Sequence, residues 1–370
     1  MKDITETRQK IEEIDRNIAV SFEERMALVK DIADYKKEHG LSVRDSAREA
    51  LLLEKNRAYI KNPEIEEYYV ELQRAIIGLS CDYQERLMSG LKVAYCGVSG
   101  AFAQIAALKM FPSAQFFSYK SFEEAYRAVE IGDCDCCVLP LENSYAGEVD
   151  AVTDLLFTGS LFVNQVINLP IKHCLLAKSD TSAKDIKTVI SHGQALKQCK
   201  GYISEKGFDS SEAANTAMAA ELVKNSADKT LAAIASYEAA DIYGLKVIER
   251  NINDSRGNST RFAAFSRVQN KPSPSKLRED ENFILVFTVQ NKAGALAQTL
   301  NILGAHGYNM RSLRSRPMKN LEWQYFFYIE AEGNINSENG KALLKELSAI
   351  CARLKLAGTY FVKNYEEVNL

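Results

Sequence analysis

Long apolar runs are missing from this chain. No segment approaches the roughly 20 residues that cross a bilayer, and the first residues are acidic and amphipathic, without the apolar stretch of a secretory leader. A surplus of positive charge is missing too. The net charge is −3, which gives no sign of a nucleic-acid partner, so any basic site must be local and sized for a small anion. Metal-ligand spacing is absent: there are four histidines, and the eight cysteines are scattered. Cys134, Cys136 and Cys137 lie together in the run CDCCVLP with no histidine near, and read as buried thiols in a strand. Free thiols suit a reducing compartment, and the expected location is the cytoplasm. The glycine string around Gly97 and Gly100 lacks the dinucleotide fingerprint. No metal or organic cofactor is implied.

What is present divides into three pieces. At 370 residues the chain is too long for one ordinary core, while 46% hydrophobic and 26% charged residues are globular values. Residues 1–89 read as helical throughout: a helix to about Glu38, a second opened by a Ser46–Glu49 capping box, and a third from about Glu64 to Met88. Three helices of such unequal length cannot close a compact core alone, and a dimer pairing the long helices is the simplest remedy. Residues 90–268 alternate strand and helix patterns (KVAYC, CDCCVLP, LFVNQVI, HCLLA, KTVIS, LAAIA, RFAAFS). That predicts an α/β domain long enough for two lobes, with its ligand in the crevice at the strand ends. A polar linker with two prolines covers residues 269–280, and residues 281–370 read as βαββαβ, a small ferredoxin-like module.

The helical piece breaks its own apolar pattern. Ile11, Ile18 and Ile32 repeat every seven residues, and the missing member of that row is Arg25. Phe22 and Val29 lead to Lys36, while Ser80 and Gln84 fall on or beside the face marked by Ile65, Leu72, Ile76 and Leu87. A charge in a helical seam needs an internal counter-charge, a stem that reaches water, or a buried anionic ligand.

Five strings in the second piece carry chemistry: NSTRF at Thr260, Arg261 and Phe262; PLENSYAG at Glu142, Asn143, Ser144 and Gly147; SHGQALKQC at Ser191, His192, Gln194 and Cys199; NTAMAA around Thr216; and YCGVSGAFAQ at Gly97 and Gly100. In the third piece stand Gly294-Ala295-Leu296 and Arg314-Ser315-Arg316-Pro317. With the three-part order, these residues resemble the bifunctional chorismate mutase–prephenate dehydratase family with a C-terminal ACT regulatory domain, over nearly the whole chain.

The resemblance implies an all-α mutase domain of three helices in an intertwined dimer, a two-lobed α/β periplasmic-binding-protein-like dehydratase domain, and an α+β ACT domain. It implies a mutase ligand set of Arg8, Arg25, Lys36, Asp45, Arg48, Glu49, Ser80 and Gln84. The arginines clamp the carboxylates of chorismate, and Lys36 and Gln84 face the ether oxygen, where charge develops. Arg8 reaches the partner protomer. In the dehydratase Thr260 is the donor to the leaving hydroxyl. Gly100, Glu142, Asn143, Ser144, Ser191, His192, Gln194, Thr216, Arg261 and Phe262 bind or orient prephenate. The ACT strings sense L-phenylalanine, although a glutamate, the natural partner of an ammonium group, is usual where Arg314 stands. The rivals are the same chemistry on arogenate and a non-catalytic amino-acid sensor.

Overall fold

The computed structural model describes residues 4–255, 257–269, 281–318 and 325–364. Most of the predicted linker lies outside the described residues. The chain separates into two compact units, Met1–Leu91 and Lys92–Leu370.

The first unit is helical. Helix α1 (Ile4–Glu38) contains neither glycine nor proline and runs for about 50 Å before Gly40 takes the left-handed conformation that ends it. Helix α2 (Ser46–Arg57) is capped by Asp45, whose carboxylate accepts from the Arg48 N–H at 3.0 Å. The expected Ser46 cap is thus displaced by one residue: Ser46 is already helical, and the aspartate before it satisfies the orphan N–H. Pro63 opens a 3₁₀ turn that leads into α3 (Glu66–Ser89), which stops at Gly90 with φ +82°. The isoleucine row expected in the seam is not covered within this chain. Only Val29 and Ala33 of α1 are buried; Ile11, Ile18 and Ile32 are exposed, with Ile18 at 57%. Helix α3 has 24 residues against 35 in α1, too few to cover its whole length.

The second unit begins with β1 (Lys92–Cys96), α4 (Phe102–Met110), β2 (Gln115–Tyr119), α5 (Phe122–Glu130), β3 (Cys136–Asn143), β4 (Gly147–Glu148), α6 (Asp150–Thr158) and β5 (Phe162–Pro170). A second lobe follows: β6 (Cys174–Ala177), β7 (Thr188–Ser191), α7 (Gly193–Gln198), α8 (Lys200–Lys206), β8 (Asp209–Glu212), α9 (Thr216–Asn225), β9 (Leu231–Ala235), α10 (Tyr237–Tyr243) and β10 (Lys246–Glu249). The chain then returns to the first lobe as β11 (Ser259–Ser266). The lobe sheets run β5-β11-β3-β1-β2 and β10-β6-β9-β7-β8. In the first, β1 is parallel to β2 and β3, while β11 lies antiparallel between β3 and β5. The two crossings, after Pro170 and after Glu249, leave a crevice between the lobes.

The C-terminal module is β12 (Asn282–Thr288), α11 (Ala295–Ala305), β13 (Asn309–Pro317), β14 (Tyr325–Glu332), α12 (Glu338–Ile350) and β15 (Arg353–Tyr360), with β16 (Val362–Asn364) beyond it. Its sheet runs β13-β14-β12-β15, and one face is covered by α11 and α12 through Leu303, Leu343 and Leu347. The other face shares a core with the first lobe: Ile284, Val286, Phe326 and Tyr328 pack with Leu156, Phe157 and Val163, and Phe157 stacks on Phe326 at 4.3 Å. The sheets also join. Gly358 of β15 pairs with Val163 of β5, and β16 continues along β5 to Asn168. A Cβ on Gly358 would come within 2.2 Å of the Val163 carbonyl oxygen, so only glycine permits that approach.

Candidate functional site

In the helical unit, five of the eight implied mutase residues meet around one turn of α3. Arg25 donates to the Ser80 hydroxyl at 2.5 Å, and that hydroxyl donates to the Ile76 carbonyl at 2.6 Å. Gln84 lies one turn on; its amide nitrogen donates to the Ser80 carbonyl, and its amide oxygen is buried with no partner. Lys36 donates to the Val43 carbonyl at 2.5 Å. Glu49 accepts from the Cys81 thiol at 3.8 Å. Burial, then the Glu49 carboxylate, raise the Cys81 pKa, while Arg44 and Lys36 oppose them, so Glu49 and Lys36 both lie near α3. Ser80 and Gln84 are buried. Arg48 and Asp45 are exposed at the head of α2. Arg8 stands apart. It precedes Arg25 by seventeen residues of one helix, about 25 Å, and no arginine side chain spans that distance.

A cavity of about 810 Å³ lies between the two lobes of the second unit. Strand alternation decides what enters it: Thr260 and Phe262 of β11 line it, and Arg261 between them does not. Asn143 of β3 is register partner to Thr260. Its amide nitrogen donates to the Thr260 hydroxyl oxygen at 2.9 Å, to the Ser259 carbonyl at 3.1 Å and to Asn258 at 3.0 Å. Its amide oxygen accepts from the Tyr145 and Ala146 N–H groups and, at 3.4 Å, from Gln194 of the second lobe. The Thr260 oxygen is therefore already an acceptor, and its own proton is available to the cleft.

From the second lobe, His192 caps α7 by accepting from the Gln194 N–H, and Thr216 opens α9 beside its cap Asn215; all four line the cavity. A Cβ on Gly193 would lie 2.8 Å from the carboxylate of Glu212, an exposed side chain that can move aside. Lys120 is the one arginine, lysine, aspartate or glutamate among the described lining residues.

The remaining implied residues lie elsewhere. Ser191 is buried with its hydroxyl on the Ile234 carbonyl, and Ser144 ties the β3–β4 turn to Gly257 and Ser259. Gly100 does not line the cavity: its N–H goes to the Gln104 side chain at 2.6 Å, and its α-carbon faces Ala239 of α10. Glu142 points away from the cleft, as does Arg261. The sequence reading passed over His173, which the structure places in the cleft wall. His173 is buried, bonded through Nε2 to Gln198 at 2.9 Å, set edge-on to Phe102, and has no partner for Nδ1. Burial pushes its pKa down, against the Gln198 hydrogen bond, so it stays neutral near pH 7. The one available signal was a histidine at the mouth of the apolar strand HCLLA.

In the regulatory module, Ala295 and Leu296 line a cavity of about 330 Å³ with Asn291, Lys292, Tyr325 and Phe327, and Gly294 caps α11 with φ +82°. The second string turns the other way. Arg314 pairs with Glu142 at 3.0 Å and Glu148 at 2.6 Å, and Arg316 with Asp154 at 2.9 Å and Asp150. Ser315 and Pro317 pair with β14.

Family models match in the same order: chorismate mutase type II over residues 7–85, prephenate dehydratase over 93–270 and the ACT domain over 283–349. A bifunctional chorismate mutase/prephenate dehydratase of Aquifex aeolicus is 32% identical over 368 residues, covering 97% of this chain and 98% of that protein. The chain belongs to the bifunctional chorismate mutase/prephenate dehydratase family. An Arabidopsis thaliana protein named arogenate dehydratase/prephenate dehydratase 1 is 32% identical over 74% of this chain and 72% of its own length. The prephenate dehydratase of Arthrobacter aurescens, solved in complex with L-Phe, superposes with a TM-score of 0.68 at 26% identity, over 73% of this chain and 90% of that one. The family membership thus extends over both units and assigns each its fold.

Proposed function

We propose that the helical unit rearranges chorismate to prephenate and that the two-lobed domain converts prephenate to phenylpyruvate. The first step needs no nucleophile. It needs a compact conformer of a dicarboxylate and donors at the ether oxygen that gains charge. Arg25, Arg48 and Lys36 supply the cations. Gln84, buried with an unsatisfied amide oxygen, supplies a neutral polar group whose amide offers donor or acceptor according to its rotation. Arg8 is too far along α1 to serve its own site, so it serves the partner's in a homodimer. The exposed isoleucines of α1 give that dimer its apolar surface.

In the second step the ring carboxylate leaves as carbon dioxide, its bonding pair enters the ring, and the ring hydroxyl departs. The departing oxygen takes up one proton from solvent and leaves as water. A threonine hydroxyl is a poor acid, so Thr260 donates a hydrogen bond to that oxygen rather than surrendering its proton. Lys120, with the neutral donors Gln194 and Asn215, faces the substrate carboxylates, and His192 and His173 line the wall. The single observation carrying this reading is the Asn143–Thr260 hydrogen bond, which leaves the threonine proton to the cleft.

L-phenylalanine binding at the Gly294–Leu296 cavity is the proposed regulation, supported by that cavity and by the L-Phe complex of the Arthrobacter aurescens relative. Eight free cysteines, seven of them buried, support a cytoplasmic location, and no helix among the described residues is long and apolar enough to cross a membrane. The test is product analysis of purified protein given chorismate alone. Phenylpyruvate is expected. Prephenate that accumulates, and turns over only after transamination, would mean an arogenate dehydratase; chorismate left untouched would overturn the mutase reading.

A further inference from the structure

Glu142–Arg261 and Asn143–Thr260 are consecutive pairs in the β3–β11 ladder. Alternation sends the second pair into the cleft and the first to the opposite face of the sheet. There the regulatory module holds both members. Glu330 of β14 is 2% exposed and accepts both Arg261 terminal nitrogens, Nη1 at 2.9 Å and Nη2; the hydroxyls of Tyr360 and Tyr328 also donate to it. Burial alone would lower the Arg261 pKa, and the hydrogen bonds and charge of Glu330 more than reverse it. Glu142 stands 3.5 Å from Arg261 and 3.0 Å from Arg314 of β13. A register shift between Arg261 and Phe262 leaves Leu141 as the extra residue on β3, a bulge of the kind that re-aims side chains beside active sites.

We propose that Glu330 is a positioning residue for the dehydratase reaction: by fixing Arg261 from behind the sheet, it sets where β11 presents the Thr260 hydroxyl. Arg314 fixes Glu142, and through it Asn143, in the same way. A buried carboxylate between two domains is costly unless its partner is in place, so the pair has one good geometry and transmits displacement of β14 to β11. Arg261 is then a structural relay, not a substrate ligand. The inference rests on Thr260 acting as the donor.

The experiment is steady-state dehydratase kinetics of full-length Glu330→Gln with prephenate, with a melting curve as the folding control. The dehydratase kcat falls about 10- to 100-fold, as for a displacement near 1 Å, with KM within about twofold of wild type. Glu330→Asp, which keeps the charge, recovers part of the loss. In an Arg261→Met background Glu330→Gln adds nothing further, because both act through one contact. If Glu330→Gln does not fold, Arg314→Gln, which removes the second grip and leaves the buried pair intact, lowers kcat by about 3- to 10-fold at unchanged KM. Unchanged kcat in the folded variant overturns the proposal. So does a raised KM with kcat intact, which would put Arg261 on the substrate. Failure of the wild-type protein to turn over prephenate is a different result, and strikes the functional reading instead.

Discussion

Replacing Asn143 by aspartate reverses one hydrogen bond and leaves the shape of the site alone. One oxygen of the new carboxylate still accepts the Tyr145 and Ala146 N–H groups, as the amide oxygen does now. The other takes the place of the amide nitrogen, facing the Thr260 hydroxyl at 2.9 Å, the Ser259 carbonyl at 3.1 Å and the Asn258 amide oxygen at 3.0 Å. The new oxygen cannot donate to any of the three; the threonine can turn and donate to it, and the Asn258 amide, whose nitrogen has no other partner, can flip to do the same. The Thr260 proton then points at the introduced carboxylate and is lost to the substrate's leaving oxygen. Removing one preorganised donor from an active site costs about 10²- to 10³-fold in kcat, or ~3–4 kcal/mol of transition-state stabilisation. The assay is phenylpyruvate formation from prephenate across pH, with a melting curve as the folding control. At neutral pH Asn143→Asp loses about 100-fold in kcat. As pH falls toward about 4 the introduced acid gains a proton, becomes a donor to the Thr260 oxygen again, and part of the activity returns. A variant within threefold of wild type at neutral pH would refute the assignment of Thr260 as donor and Asn143 as the group that orients it.

Arg25→Met removes the charged donor to Ser80 and lowers mutase kcat by about 10²- to 10³-fold, with dehydratase turnover unchanged; a parallel loss of both would show that the two units are not independent. His173 contributes a pH dependence whose sign follows from its lowered pKa. The unfolded chain gains the proton near the ordinary value of 6.5 while the folded protein resists it. Stability is therefore full above that value and declines as pH falls from it toward the folded pKa, and His173→Gln flattens that decline in melting curves. Ile18→Glu places a charge on the exposed face of α1 and converts the proposed dimer to monomer in sedimentation, with mutase activity lost because Arg8 no longer reaches a neighbouring site. Wild-type protein that sediments as a monomer and still rearranges chorismate would remove the role given to Arg8.

Where residues close in sequence define a feature, the sequence was legible. The strings NSTRF and PLENSYAG lie on neighbouring strands because both are short runs with strand chemistry, and period-two alternation sends Thr260 and Phe262 to the same face. Edge strands were harder. The strand β8, DSSE, is exposed at every position, so it has no apolar alternation to detect, and β10, with its lysine and glutamate ends, is little better. Gly100 was expected among the prephenate ligands on the resemblance alone; its N–H is instead satisfied by Gln104, which local reading cannot weigh against a ligand. The largest omission is the opposite face of the same signature. Arg261 reads as a substrate arginine when its neighbours are catalytic candidates. Its partner Glu330 lies 69 residues on, in a module that a polar linker sets apart, and the shared core and the join of β15 and β16 to β5 bring the two together. The departure at Arg314 has the same origin. A cation there makes no sense for an ammonium ligand, but it faces Glu142 and Glu148. The triplet Thr260-Arg261-Phe262 therefore serves two faces at once: the outer residues line the cleft, and the middle one ties that strand to Glu330 of the C-terminal module.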